Sequence, residues 1–268
     1  MYRICILIII LLLVAPSVQA GRRKNAVKNT VQLTYQEPDA LMPAHRPHPA
    51  LQRQMQPDFQ RVRIHKTGKR GIDVSHYQHN INWKQVAANK EITYVYIKAT
   101  ESANLVDNMF RSNLSEARKA GIPAGIYHFF SPTTAPMAQL KNLTTTVPHL
   151  HDQDIVPMID VEVKGKASPE DLRHRLRQFL KGVEDYYGVK PILYTGQNFY
   201  NKYLAGHFED YLFMIAKYSD EMPKLDGNAK FAMWQYSASG RVSGIRGDVD
   251  CSCFMDNYSL RDILIKKK

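Results

Sequence analysis

One stretch decides the fold: Pro157-Met158-Ile159-Asp160-Val161-Glu162-Val163. Its apolar residues are typical of a buried parallel strand, and two acids interrupt the run at its carboxyl end. Side chains alternate faces along a strand, so Asp160 and Glu162 are expected to point the same way. Burying two carboxylates side by side raises the pKa of at least one of them, so the pair is more typical of a proton-transfer site than of packing. A surface strand with two solvated acids is the alternative.

The N-terminal quarter of the chain precedes the predicted fold. An apolar run at 4–15 is followed by small residues at 16–20, a pattern typical of a cleaved signal peptide. The run is shorter than the roughly 20 apolar residues that span a bilayer. We therefore predict a signal peptide at 1–20, export to the periplasm or the extracellular space, and no stable membrane insertion after cleavage. An uncleaved anchor is the alternative. Pro, Gln and basic residues at 21–66 predict a flexible spacer, and 67–268 forms the folded domain.

The chain carries a formal net charge of +11, and much of the excess lies outside the predicted fold. Such a balance favours anionic partners such as a cell-wall polymer, a membrane surface or a nucleic acid. No basic stripe interleaved with aromatic residues is present, so a nucleic-acid partner is not predicted.

Two of the three cysteines, Cys251 and Cys253, remain after signal cleavage. Residues two apart on a strand lie about 7 Å from each other, at the limit for a disulfide, so we expect free thiols.

From Gly71 onward, short apolar runs alternate with helical patterns, which predicts βα units around a parallel sheet. We place eight strands at Gly71–Ser75, Tyr94–Lys98, Pro123–Phe130, Ile155–Glu162, Pro191–Tyr194, Leu212–Ala216, Phe231–Tyr236 and Val249–Phe254. After Ala205 the helical pattern weakens, so part of the barrel is expected to lack helices. The predicted fold class is α/β: a single modified TIM-like (β/α)-barrel with eight strands and fewer than eight helices.

Two helices between these strands have clear sequence signals. The first runs from Phe110 and stops at Gly121, a suitable C-terminal cap. The second runs over Pro169–Tyr187, with Ser168 and Asp171 forming a capping box, and ends at a glycine.

Functional groups of a parallel barrel gather at the carboxyl ends of its strands. Those ends carry acids, aromatic residues and few cations: Asp73, Tyr77, Lys98, Glu101, Tyr127, Asp160, Glu162, Tyr194, Trp234, Gln235 and Asp250. Aromatic rings beside carboxylates suit a sugar, whose C–H face stacks on the ring while its hydroxyls form hydrogen bonds. The predicted rim therefore favours glycoside hydrolysis. For Lys98 and Glu101 two interpretations stay open: a pair in the site, or a salt bridge that holds a loop.

Several segments, in order, resemble the motifs of glycoside hydrolase family 25, the N,O-acetylmuramidase type of lysozyme. They are Gly71–Gln78, Tyr96–Glu101, Gly125–Phe129, Pro157–Glu162, Trp234–Tyr236 and Gly247–Asp250. The resemblance spans about residue 71 to the C-terminus. It implies a modified barrel with a partly helix-free side, and cleavage of the β-1,4 bond between N-acetylmuramic acid and N-acetylglucosamine in peptidoglycan. It implies no metal and no organic cofactor, and we expect a monomer.

The resemblance also implies roles for individual residues. Glu162 is the proton donor, and Asp160 supports attack by the acetamido oxygen of the substrate. Asp73 and Asp250 complete the acidic set, and their charges together with that of Asp160 are expected to raise the pKa of Glu162. The residues expected to bind substrate are Tyr77, Lys98, Glu101, Tyr127, Tyr194, Trp234 and Gln235. The spacing of the two strand acids leaves retaining and inverting outcomes open.

The chain departs from the family pattern at two places. Ser102 stands where the family usually has glycine, and Cys251-Ser252 stand where it has an apolar residue and asparagine. Neither departure affects an acid, so contacts with the sugar rather than the chemistry are in question.

Two other functions compete with this one. A metal hydrolase could use ligand types present here, including His76 and His128, but no histidine pair has the helical i, i+4 spacing of a zinc site. A non-catalytic peptidoglycan-binding protein on the same fold is the other alternative. The presence of all four acids favours the enzyme.

Overall fold

The computed structural model describes residues 69–227, 230–255 and 257–266. The predicted signal peptide at 1–20 and spacer at 21–66 lie outside these residues. Within the described ranges, no helix has the length and apolar character needed to cross a membrane.

The described residues form nine strands and five α-helices. The strands are β1 (Arg70–Val74), β2 (Ile92–Glu101), β3 (Leu105–Val106), β4 (Ala124–Phe129), β5 (Met158–Asp160), β6 (Ile192–Gly196), β7 (Leu212–Ala216), β8 (Lys230–Gly240) and β9 (Val249–Phe254). The helices are α1 (Trp83–Ala88), α2 (Phe110–Lys119), α3 (Pro136–Thr146), α4 (Pro169–Tyr187) and α5 (Gln197–Phe199), the last continuing into a π-turn at Tyr200–Leu204.

Eight of the strands close into a barrel in the order β1-β9-β8-β7-β6-β5-β4-β2, with β2 pairing back onto β1. The short β3 is antiparallel to the end of β2 and lies outside the closed ring. Between β7 and β9 the described residues contain no helix. The predicted modified barrel, with eight strands and fewer than eight helices, is confirmed.

The last strand corrects the expectation of an all-parallel barrel. β9 is antiparallel to both β8 and β1, because only residues 241–248 connect it to β8 and no helical crossover intervenes. Its amino-terminal end therefore lies at the rim that holds the carboxyl ends of the other barrel strands. Asp250 reaches this rim from the start of β9, where it pairs with Asp73 on β1.

The strand that carries the central acids is shorter than predicted. We expected strand structure over Ile155–Glu162, whereas β5 covers three residues. Ile155 instead forms a bridge with Leu264, and the next residue donates its N–H to Ile263 O at 2.9 Å. The beginning of the predicted strand thus bonds to the C-terminal segment and forms isolated hydrogen bonds with Ala124 on β4 and Ile192 on β6, and the regular strand begins at Met158. At the other end, Glu162 lies beyond the last residue of the strand.

The capping signals of α4 are confirmed with one difference. Ser168 Oγ accepts the N–H of Asp171 at 3.1 Å, and Gly188 ends the helix with a φ of +70°. The carboxylate of Asp171 accepts the Ser168 hydroxyl at 3.0 Å. Both residues thus stabilise the first turn of the helix, as acids and hydroxyls do at helix N-termini.

Outward-facing strand residues pack against the helices to form the larger apolar core. This cluster includes Ile72, Val95, Ile97, Ile126, Ile159, Leu193, Phe213 and Ile215 from the strands and Leu172, Leu176, Phe179, Leu180 and Val183 from α4. Each fully buried side chain of this kind contributes about 1.5–3 kcal/mol. A second, smaller apolar cluster lies on the inner side and includes Met158, Ile192, Met214 and Met233.

Two glycines make room for tyrosines inside the barrel. Gly71 on β1 pairs with Tyr94, and Gly125 on β4 pairs with Tyr96. A Cβ on Gly71 would lie 2.0 Å from two ring carbons of Tyr94, and one on Gly125 would lie 2.7 Å from the ring of Tyr96. Both rings are fully buried. Since each of these residues precedes the rim along its strand, the two rings form a layer beneath the acids.

Candidate active site

The four predicted acids all lie at the rim of the barrel. Asp73 and Asp250 are direct cross-strand partners on β1 and β9. Asp160 is the last residue of β5, and Glu162 follows two residues later. Asp73, Asp160 and Asp250 are at most 4% exposed, whereas Glu162 is half-buried. Glu162 is therefore the acid of this set with most access to a ligand.

The charges of these acids meet at Tyr194, which β6 places beside Asp160 in the barrel register. Burial is the main cause that raises the pKa of Tyr194, and the negative charges of Glu162, Asp160 and Asp250 raise the pKa further. The strand register thus places Asp160 beside Tyr194, and Glu162 follows Asp160 by two residues.

Tyr127 on β4 connects the fourth acid to this group. Burial raises the pKa of Tyr127, and the charges of Asp160, Asp250 and Asp73 add to that effect. A small gap between buried side chains is lined by Asp73, Tyr127, Met158, Asp160, Tyr194 and Gln235. The structure thus brings the four acids and two predicted substrate-binding tyrosines to one region of the rim.

Gln235 on β8 links this region by three hydrogen bonds. Its Nε2 donates to Asp73 Oδ2 at 2.8 Å. Its Oε1 accepts the hydroxyls of Tyr194 and Tyr218, each at 2.8 Å. Gln235 itself has no exposed surface.

Tyr218 was not predicted from the sequence. It lies two residues beyond the end of β7, at the carboxyl end where functional groups of a barrel gather. Burial raises the pKa of Tyr218, and the charges of Asp250 and Glu162 raise it further. The rule that located the other rim residues could have found Tyr218, but no motif drew attention to it.

Lys98 and Glu101 form a buried salt bridge at the end of β2. Lys98 Nζ lies 2.5 Å from Glu101 Oε2, and the ammonium also lies 5.4 Å from the centre of the Phe129 ring. The two side chains are 4% and 12% exposed. Of the two interpretations left open by the sequence, this geometry favours a salt bridge that holds the end of β2.

Tyr77 lies in the turn that follows β1 and is 36% exposed, with its ring 4.1 Å from that of His76. Asp107, which follows β3, holds this turn in place. Its Oδ2 lies 2.7 Å from His76 Nδ1 and accepts the backbone N–H of His76 at 3.0 Å. No sequence signal identified Asp107, because its contact with His76 spans 31 residues.

The structure does not bring Trp234 to the acidic rim. Its ring is 4% exposed and belongs to the outer apolar cluster, and its Nε1 donates to Lys217 O at 2.8 Å. Trp234 and Gln235 are adjacent on β8, so their side chains point to opposite faces of the barrel.

Ser102 keeps the backbone conformation that glycine favours. Its φ is +49°, in the left-handed region. Its Oγ lies 2.8 Å from Thr134 Oγ1, and its N–H donates to Phe129 O at 3.1 Å. At the second departure from the family pattern, Cys251 is buried and not joined to Cys253 by a disulfide, and Ser252 Oγ lies 2.9 Å from the Tyr94 hydroxyl. Both departures are thus accommodated without a change at the acids.

His128, considered above as a metal ligand, packs in the outer core. Its Nδ1 lies 2.7 Å from Thr100 Oγ1, and its ring stacks on Phe179 with centroids 4.8 Å apart. Burial lowers the pKa of His128 to about 3. In the part of the chain that the structure describes, no three or more His, Cys, Asp or Glu side chains are grouped so that they could hold a metal ion.

Most of the described barrel is similar to known proteins. The family model described as Glycosyl hydrolases family 25 matches residues 72–245. The Escherichia coli (strain K12) protein YegX is 40% identical over 188 residues, covering 69% of this chain and 68% of YegX. Lysozyme M1 of Streptomyces globisporus is 31% identical over 201 residues, covering 70% of this chain and 68% of that protein. The crystal structure of a bacterial lysozyme from Streptomyces coelicolor matches with a TM-score of 0.67 at 28% identity, covering 73% of this chain and 95% of that one. Since the family model covers more than half of its length, the chain belongs to family 25 of the glycosyl hydrolases and is a glycoside hydrolase.

Proposed function

We propose that the chain is a lysozyme-type muramidase that hydrolyses the β-1,4 bond between N-acetylmuramic acid and N-acetylglucosamine in peptidoglycan. Membership of family 25 and the similarity to two lysozymes support this substrate class. The observation that carries the proposal is that Asp73 and Asp250 are direct cross-strand partners at the rim where β5 ends at Asp160 and Glu162 follows two residues later. A glycosidic oxygen bound beside these groups has carboxyl groups within reach for protonation and for charge stabilisation.

Glu162 is the proposed proton donor. A general acid must reach the bridging oxygen, and Glu162 is half-buried while the other three acids are almost fully enclosed. Nearby negative charges favour the protonated form of a carboxyl group, which is the form that donates. Asp160, two residues earlier, is the proposed assistant. By accepting the acetamido N–H of the substrate, Asp160 would increase the negative charge on the acetamido oxygen that attacks the sugar.

The proposal extends to the location of the enzyme. The sequence pattern at 1–20 supports export, which would bring the enzyme to the wall polymer. A formal charge of +11 favours association with an anionic wall. We further propose that the exported chain acts as a monomer. N-terminal sequencing of the protein recovered outside the cytoplasm, with its mass by size-exclusion chromatography and light scattering, tests both points.

Mass spectrometry of products from defined peptidoglycan tests the proposed reaction. Digests are reduced with borohydride, so that the newly formed reducing-end sugar is marked. The proposal predicts reduced muramic acid at the new ends. Glu162→Gln should lower turnover by about 10²–10⁴-fold, because the amide cannot donate the proton in the same way.

Glu170→Gln is the matched control for loss of one glutamate charge. Its side chain is 76% exposed at the start of α4, where it pairs with Arg173. This variant should keep wild-type turnover. Wild-type turnover in Glu162→Gln, or reduced glucosamine at the new ends, would contradict the proposal. Binding to peptidoglycan without any release of products would instead identify a non-catalytic wall-binding protein.

A further inference from the structure

We infer that Gln235 is a positioning residue: it holds the carboxylate of Asp73 and fixes the direction in which Tyr194 and Tyr218 donate their protons. The inference rests on the proposed function where activity is measured. The sequence-based expectation was that Gln235 contacts substrate. In this inference, Gln235 acts instead through its neighbours.

Burial argues against direct contact between Gln235 and a ligand. Gln235 has no exposed surface, and it lies in the middle of β8, where it pairs with Ala216 on β7 and Ser252 on β9. Its amide nitrogen donates to Asp73, and its oxygen already accepts two hydroxyls. A carbonyl oxygen has two lone pairs, so this oxygen is saturated.

The charge of Asp73 determines how the amide is oriented. An ionised carboxylate can only accept hydrogen bonds, so the NH₂ group of Gln235 must face Asp73 Oδ2. The amide oxygen must then face the two tyrosines. The opposite orientation would place the amide oxygen against a carboxylate oxygen, and it would leave Asp73 without this donor. One arrangement of the whole chain of hydrogen bonds is therefore strongly preferred.

This arrangement has a consequence for the rim. Tyr218 has a single hydroxyl proton, which it donates to Gln235 Oε1 at 2.8 Å. Its phenol oxygen is thus left with lone pairs only, and this oxygen is almost fully enclosed. Any further group that meets this oxygen must therefore be a hydrogen-bond donor.

The position of Asp73 shows why a hydrogen-bond donor to its carboxylate is useful. Asp73 lies opposite Asp250, and two carboxylates on directly paired strand positions repel each other. A donated N–H stabilises the ionised form of Asp73 and fixes which way its carboxylate turns. Gln235 supplies this donor from β8, the strand on the far side of β9.

Two substitutions separate positioning from substrate contact. Gln235→Glu keeps the shape but replaces the donor to Asp73 by an acceptor, whereas Tyr218→Phe removes one phenol and leaves the bond between Gln235 and Asp73. For Gln235→Glu we expect kcat to fall by about 10–100-fold with KM within about threefold, and the acidic limb of the pH profile to move up by about one unit or more. For Tyr218→Phe we expect a smaller loss of kcat/KM and an unmoved acidic limb. Gln85→Glu, at an exposed position on α1, is the control for added surface charge and should match wild type.

A higher KM with unchanged kcat and an unmoved acidic limb in Gln235→Glu would overturn the inference, because that result describes a direct substrate contact. Should this variant fail to fold, Tyr218→Phe and nuclear magnetic resonance of the wild-type protein decide. The ¹⁵N signal of the Gln235 side-chain amide should shift with pH as Asp73 titrates, and this shift should disappear in Asp73→Asn.

The resonance experiment needs no substrate, so the two proposals can fail separately. A titrating amide signal in a protein without muramidase activity would refute the proposed function and leave the role of Gln235 standing. An active enzyme whose Gln235 amide signal does not respond to the titration of Asp73 would refute the inference alone.

Discussion

Substitution of Gly71 by alanine tests the layer of tyrosines beneath the acids. A Cβ at this position would lie 2.0 Å from two carbons of the Tyr94 ring and 2.5 Å from its hydroxyl oxygen. Ordinary contacts between carbon atoms are about 3.5–4.0 Å, so the ring has to move by about 1.5 Å or more. Tyr94 is fully buried and its hydroxyl lies 2.9 Å from Ser252 Oγ. The ring therefore cannot move without breaking that bond.

The expected loss of stability follows from these two effects. Overpacking a filled core destabilises a protein by about 1–3 kcal/mol. Loss of a buried hydrogen bond adds about 1 kcal/mol. We therefore expect Gly71→Ala to lower the free energy of unfolding by about 2–4 kcal/mol, equivalent to a decrease in Tm of about 5–15 °C for a domain of this size.

Urea unfolding followed by circular dichroism measures the effect, and Gly196→Ala is the matched control. Gly196 has a φ of −73°, and nothing lies within 4 Å of the position its Cβ would take. The control should change stability by less than about 1 kcal/mol, since alanine fits that backbone. If Gly71→Ala and Gly196→Ala were equally stable, the argument that glycine is needed for close packing against Tyr94 would be wrong.

Two further predictions concern stability. Ser102 has a φ of +49°, so Ser102→Val should lower the free energy of unfolding by about 1–3 kcal/mol. Ser102→Gly loses only the bond to Thr134 and should change that free energy by less than about 1.5 kcal/mol. Equal unfolding midpoints for the two variants would contradict this prediction. Burial lowers the pKa of His128 to about 3, whereas in the unfolded chain the pKa is about 6.5. Between these two pH values the unfolded chain binds more protons than the folded chain. The folded state therefore loses stability as pH falls through this window. His128 changes the free energy of unfolding by at most about 1.4 kcal/mol per pH unit. His128→Gln should therefore flatten the pH dependence of this free energy, measured by urea titrations. If the slope with pH were unchanged in the variant, His128 would not be its cause.

The elements that could be predicted from the sequence have local signals. Ser168, Asp171 and Gly188 mark the ends of α4 within its own segment, and the structure has the helix at the same bounds. The barrel strands were located by apolar runs in the same way. Asp73 and Asp160 were placed at the rim by one rule about strand ends, and the structure has both there.

What the sequence did not reveal depends on partners far along the chain. The direction of β9 follows from pairing with β1, about 180 residues earlier, and a strand segment looks the same in either direction. The beginning of the predicted fourth strand lies outside β5, and Ile155 pairs with Leu264 instead. Trp234 and Gln235 were grouped because they share a motif, but adjacent strand residues face opposite sides. Only the register with neighbouring strands shows that Gln235 is the one that faces the acids.

The reduced state of Cys251 and Cys253 has a consequence for biogenesis. No covalent cross-link between them closes the barrel, so its folding requires neither an oxidant nor a disulfide isomerase. The domain can thus reach its native state in a reducing compartment as readily as in an oxidising one. If the chain is exported as proposed, its precursor would consequently depend on chaperones or on rapid translocation, rather than on compartment chemistry, to keep it from folding too early.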